Sequence, residues 1–173
     1  IVLKMNFGED GTIYVAQALG QEGVDKRIDV IATAIKGNLT IHDLQEIEVA
    51  YAPPYNSAKD PVNILGYVAE NMLNDDVRFI NYDQLDDYLS DDNAVLIDVR
   101  SPKEFENGAI PNAINMDVDT LRDNLDFFDN NKKYVIYCQI GLRGYLAQRI
   151  LRNNKINSVN LNGGYGLWKP VNS

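Results

Sequence analysis

Tyr134-Val135-Ile136-Tyr137-Cys138-Gln139-Ile140-Gly141-Leu142-Arg143-Gly144 opens as a short apolar, aromatic and β-branched run, the pattern of a buried strand. It breaks at Cys138, the only cysteine in 173 residues, and a helical pattern resumes just after Arg143. A strand that passes through a tight loop straight into a helix gathers backbone N–H groups at one spot, under the partial positive charge of the helix N-terminus. A cysteine on the floor of such a loop, with an arginine closing it, is expected to carry a reactive thiolate. A lone cysteine at a strand end is also an ordinary small core hydrophobe. That plainer reading leaves the adjoining glycine and arginine without a purpose. Cys138 is therefore read as a nucleophile, and Gln139, Ile140, Gly141, Leu142, Arg143 and Gly144 as its substrate-binding loop.

Working outward, strand-like and helix-like runs alternate, which argues for a parallel α/β sheet. Ala94 to Val99 is a strand with few polar breaks, as expected when both faces are covered. Asp98-Val99-Arg100-Ser101-Pro102-Lys103-Glu104-Phe105 follows. Ser101 and Glu104 form a capping box with Pro102 at the first helical position, so local physics accounts for all three. Asp98 and Arg100 lie at the C-terminal edge of the strand, where ligands bind in such sheets, and are expected to be a supporting ion pair. Asn81 can cap a helix carrying Leu85, Tyr88 and Leu89; Leu121 and Leu125 mark another, with Phe127 and Phe128 in the core. Leu146, Ile150 and Leu151 give the apolar face of the helix after the cysteine, and Ser158 to Leu161 a last strand. Asn162-Gly163-Gly164-Tyr165-Gly166-Leu167-Trp168 is expected to be a turn where backbones approach closely, since no long helix follows.

The first half has a different pattern. Lys4 to Phe7 and Thr12 to Leu19 are strand-like runs joined by Gly8-Glu9-Asp10-Gly11, a hairpin. Val24 to Lys36 is a helix with Ile28, Ile31 and Ile35 on one face and Gly37-Asn38 as its stop. Thr40 caps the next helix, with Leu44 and Ile47 buried; His42, in its first turn, is assigned no role. Pro53-Pro54 imposes a stiff, extended segment, and Asp60-Pro61 starts a helix whose buried stripe is Val62, Leu65, Ala69 and Met72. Asn74-Asp75-Asp76 marks the boundary, giving domains 1–73 and 79–173 joined by 74–78.

Composition narrows the function. A net charge of -9 argues against nucleic acid, and no apolar run approaches membrane-spanning length. One cysteine precludes a disulfide framework and fits a reducing cytoplasm; with one histidine it makes a protein-ligated metal site improbable. The chain opens Ile1-Val2-Leu3, without an initiator Met or a charged leader, and is expected to be an internal piece of a longer protein.

Three motifs in order give the second half its family resemblance. Asp98-Val99-Arg100…Glu104-Phe105 with Gly108-Ala109-Ile110-Pro111-Asn112-Ala113-Ile114-Asn115, the Cys138 loop, and Asn162 to Trp168 together resemble the rhodanese family. Ala109 stands where the family usually has histidine. Four residues separate Cys138 from Arg143; cysteine-dependent phosphatases carry five, so the shorter loop favours a terminal sulfur over a phosphate. The resemblance implies sulfur transfer through a Cys138 persulfide, from a sulfane-sulfur donor (persulfide, polysulfide or thiosulfate) to a thiol acceptor. A non-catalytic interaction module, and a phosphatase or arsenate reductase, are the alternatives.

Gln21 to Asp29, Tyr51-Ala52-Pro53-Pro54-Tyr55 and Ala58 to Asn63 resemble the C-terminal dimerisation domain of flavin-dependent pyridine nucleotide–disulfide reductases, in the coenzyme A-disulfide reductase branch. The resemblance implies a homodimer through residues 1–73, with Tyr51, and less directly Tyr55, reaching the partner subunit's reductase site. It also implies FAD, NAD(P)H and coenzyme A for the longer enzyme. No Gly-x-Gly-x-x-Gly follows a strand here, so this chain is expected to bind none of them alone. The expected architecture is α/β: a rhodanese-like parallel sheet flanked by helices, preceded by an α+β partial dimerisation domain.

Overall fold

The computed structural model describes residues 1–54 and 56–172 and divides the chain into two compact units, Ile1–Asp76 and Val77–Ser173. The first unit opens with an antiparallel hairpin of β1 (Val2–Phe7) and β2 (Ile13–Leu19), closed where Gly8 N–H donates to the Thr12 carbonyl at 2.9 Å. Three helices follow: α1 (Val24–Lys36), α2 (Ile41–Glu46) and α3 (Pro61–Leu73). Ile13, Ile31, Ala34, Ile41, Leu44, Val62 and Ala69 make their shared core. Thr40 and Asp43 cap α2 reciprocally, and Asp60 and Asn63 do the same for α3.

Asn63 has a second job. Its Nδ2 donates to the carbonyls of Leu44 (2.8 Å) and Ile47 (2.9 Å), satisfying acceptors that the end of α2 would otherwise leave unpaired. This moves the inward face of α3 away from the spacing-based stripe. Val62, Asn63, Gly66 and Ala69 are buried, whereas Met72 is 45% exposed. At the end of α1 it is Asn38, at φ 55°, that turns left-handed, not Gly37. His42 is exposed and lies 3.2 Å from Glu70.

The second unit begins with β3 (Phe79–Ile80), a 3₁₀ turn (Tyr82–Gln84) and α4 (Leu85–Leu89). It continues through β4 (Ala94–Asp98), α5 (Pro102–Glu106), β5 (Ile114–Asn115) and a 3₁₀ segment (Leu121–Phe127). Then come β6 (Lys133–Tyr137), α6 (Leu142–Asn153), β7 (Ser158–Leu161) and α7 (Gly164–Val171). All five strands run parallel in the order β3-β7-β6-β4-β5, so β6 is central.

Side chains of β6 alternate between two cores, as strand geometry requires. Tyr134, Ile136 and Cys138 join Leu121, Ala147 and Leu151 on one face; Val135 and Tyr137 join Leu85, Leu161 and Tyr165 on the other. Both faces are covered, which is why the strand reads as an unbroken apolar run. Three local expectations are corrected. The segment at Leu121 is 3₁₀, kinked at Asn124, and leaves Phe127 45% exposed while Phe128 packs edge-on against Tyr134. The glycine-rich turn starts a helix of eight residues, α7. Helix α6 begins at Leu142, so Leu142, Arg143 and Gly144 form its first turn and do not close a loop ahead of it.

Candidate active site

β6 delivers Cys138 to the C-terminal edge of the sheet, where it is 1% exposed. Gly141 N–H donates to its Sγ at 3.1 Å, and Gly141, at φ 142°, is the residue in which the chain turns from loop into α6. That φ strains any residue with a Cβ. Negative charge on Sγ thus meets one amide hydrogen and the N-terminal end of a helix of 12 residues.

Helix α7 fixes the other side of the loop. The carbonyls of Cys138 and Gln139 accept from the N–H groups of Tyr165 and Gly166, both at 2.8 Å. Because each peptide unit is planar and trans, the N–H groups of Gln139 and Ile140 point away from α7. A Cβ on Gly164 would run into the Cys138 carbonyl, so this glycine serves close backbone approach within the protein.

Asp98 and Arg100 form a wholly buried pair at 2.7 Å, with both Asp98 oxygens also accepting from Arg100 Nε at 3.0 Å. Arg100 reaches further, to the Gly108 carbonyl (2.7 Å) and Gln139 Oε1 (3.2 Å), and lies 4.2 Å over the Tyr165 ring. It therefore ties the end of β4 to Gln139 in the cysteine loop, to the turn at Gly108 and to α7. The Tyr137 hydroxyl accepts from Ile110 N–H at 3.1 Å, and burial pushes its phenol pKa above the ordinary value.

Arg143 is held in a two-point ion pair. Both of its terminal nitrogens meet Glu104, at 2.6 and 2.7 Å, while Glu104 also accepts from Ser101 Oγ at 2.9 Å. Hydrogen bonds from Arg143 hold the Glu104 carboxyl down to about 2, and Glu104 in turn raises the guanidinium above its usual range. Ile140 and Leu142 are 75% and 67% exposed, whereas Gly144 is buried against Asn160.

These distances bring Cys138, Gln139, Gly141, Arg143, Asp98 and Arg100 together at one sheet edge. Sequence reasoning missed Glu104 as a site residue because its capping box already explained it. Tyr165 and Gly166 were missed because they act through their backbones. Tyr51 belongs to the first unit, 52% exposed; Tyr55 lies outside the described residues. Among the described residues no group of three or more His, Cys, Asp or Glu could hold a metal ion, and no helix is long and apolar enough to cross a membrane.

Residues 81–170 match the description of the rhodanese-like domain. The chain belongs to the rhodanese family. Solved relatives extend the match across both units. Reduced CoADR-RHD from Bacillus anthracis is 46% identical, with a TM-score of 0.93 over 98% of this chain and 30% of that one. The NAD-dependent persulfide reductase of A. fulgidus is 35% identical, with a TM-score of 0.86 over 96% of this chain and 30% of that one. Coenzyme A disulfide reductase of Staphylococcus epidermidis is 48% identical over 69 residues, 39% of this chain and 16% of that protein. The chain thus spans less than a third of the length of each of these three relatives.

Proposed function

We propose that this chain transfers sulfur through a persulfide on Cys138, as the C-terminal part of an NAD(P)H- and FAD-dependent reductase of coenzyme A disulfide, coenzyme A persulfide or polysulfide. The Gly141 N–H on Cys138 Sγ, at the foot of α6, is the observation that supports it most. The thiolate attacks the outer sulfur of a donor R–S–SH. The donor S–S bond breaks, a Cys138 S–S bond forms, and R–S⁻ leaves. An acceptor thiolate then attacks the outer sulfur of the Cys138 persulfide and releases Cys138 as a thiolate again. Neither step needs an oxidant, and neither needs a general base.

FAD and NAD(P)H are assigned to the longer enzyme and not to the first unit of this chain. The first unit pairs its strands antiparallel, and among its described residues no parallel strand turns through glycines into a helix. No step is routed through either cofactor; reduction by NAD(P)H belongs to the longer enzyme. In that enzyme the first unit pairs two chains into a cytoplasmic homodimer and Tyr51 serves the partner subunit's reductase site.

The test is intact mass of the reduced protein after polysulfide or thiosulfate, beside Cys138→Ala. One added sulfur atom, removable by cyanide and absent in the variant, is expected. A wild-type protein that takes up no sulfur from any donor is not a sulfurtransferase, and its rhodanese unit is then a docking module.

A further inference from the structure

The turn that presents Gly141 N–H to Cys138 Sγ has no side chain of its own to hold it. Helix α6 starts at Gly141 without a side-chain cap, at a φ of 142°. What fixes the turn is its carbonyl, which accepts from Tyr145 N–H at 2.8 Å and from Asn160 Nδ2 at 3.4 Å. The first bond lies within α6. The second ties the turn to the sheet, through β7.

Asn160 is an unusual residue for its place. It is 1% exposed in a strand buried along its whole length, and its Oδ1 has no hydrogen-bond partner among the described residues. An unpaired buried acceptor lowers stability, and leucine, of much the same shape, would avoid the loss. The amide also lies against Gly144, where a Cβ would run into Oδ1, so the first turn of α6 admits it only because residue 144 is glycine. Two departures from good packing thus converge on one amide, and that amide holds the turn beside the cysteine.

We propose that Asn160 is a positioning residue for Cys138: by holding the Gly141 carbonyl from β7, its amide keeps the Gly141 N–H aimed at Sγ. This rests on Cys138 being the sulfur acceptor. Asn160 acts through Gly141 and not on the donor. The N–H and the carbonyl of Gly141 belong to peptide units on either side of its Cα, and a glycine lets one pivot against the other. A carbonyl fixed to the sheet removes that freedom. Negative charge on the sulfur then meets an amide hydrogen already in place.

The experiment follows alkylation of Cys138 by iodoacetamide as a function of pH, with thermal unfolding and sulfur loading from polysulfide, in wild type, Asn160→Leu, Asn160→Ala and Asn160→Asp. Asn160→Leu should unfold no earlier than wild type, because it removes an unpaired acceptor and leaves the Gly141 carbonyl with Tyr145 N–H. Its alkylation profile should nevertheless move to higher pH, with the rate near neutrality down about tenfold and sulfur loading falling with it. Asn160→Ala should show the same displacement. Asn160→Asp should go further, since an ionised carboxylate cannot donate to Gly141 and adds negative charge beside the turn.

An unmoved profile in Asn160→Ala overturns the proposal, whatever the leucine variant does to folding. So does a profile that moves only in step with a lowered unfolding temperature, which assigns Asn160 a merely structural role. Failure of wild type to load sulfur is a separate result: it removes the Cys138 reading itself, is seen without any variant, and leaves the alkylation profiles to decide what Asn160 does to the thiol.

Discussion

Glu104 and Arg143, 39 residues apart in the chain, meet through two hydrogen bonds of 2.6 and 2.7 Å. The pair joins the first turn of α5 to the first turn of α6, and so locks the helix that carries the capping box to the helix beneath the cysteine loop.

A pH dependence follows. The folded Glu104 carboxyl sits at about 2, below its ordinary 4.5, chiefly through Arg143. A depressed carboxyl stabilises the fold above its unfolded value and loses that contribution as pH falls from 4.5 toward 2. The pair is partly solvated, so the contribution is about 1 kcal/mol. Urea unfolding of wild type and Glu104→Gln should differ by that amount near neutrality and converge as pH falls toward about 2. A difference that stays constant through this window would assign the stabilisation to the capping box alone.

Gly164→Ala should cost about 2–4 kcal/mol, since a methyl group meets the Cys138 carbonyl and a left-handed backbone must be held by a residue that disfavours it. Denaturant midpoints measure the cost. Reaction of Cys138 with a small alkylating agent should also lose its site character and approach that of an unfolded thiol.

Asp98→Ala strands the Arg100 guanidinium, 2% exposed, and should destabilise the unit by about 3–5 kcal/mol. Replacing both partners, Asp98→Leu with Arg100→Met, should recover much of that loss. Stability recovered without sulfur loading would show that the pair works by placing Gln139 and Gly108.

Tyr137→Phe leaves the Ile110 N–H without its acceptor and should cost about 1–3 kcal/mol. Thermal unfolding reports it. Because burial raises the phenol pKa, ultraviolet titration of the folded wild type should miss this tyrosine until the protein unfolds in alkali.

The sheet was legible in the sequence because its central strands are buried on both faces: Ala94 to Asp98 and Lys133 to Tyr137 carry long apolar runs with nothing to imitate them. Caps were legible for a similar reason, since Ser101 with Glu104 and Asp60 with Pro61 are local signals. What escaped was distant or doubly employed. Glu104 caps its own helix and also binds Arg143; Asn63 caps α3 and also α2. Met72 and Phe127 follow helical and core spacing and still face solvent, because spacing fixes a face and only the neighbours decide whether it is covered. Among the site residues, Cys138 and its loop were readable as a motif. The backbone grip of Tyr165 and Gly166 left no side-chain trace.

That grip has a consequence for synthesis. Among the described residues, the carbonyls of Cys138 and Gln139 find their backbone donors at Tyr165 and Gly166, which the ribosome adds after β7. A nascent chain that has exposed Cys138 therefore carries a thiol without a finished cradle, and the site is shaped only when the later helix arrives. The order of translation delays the chemistry until the rest of the sheet is in place.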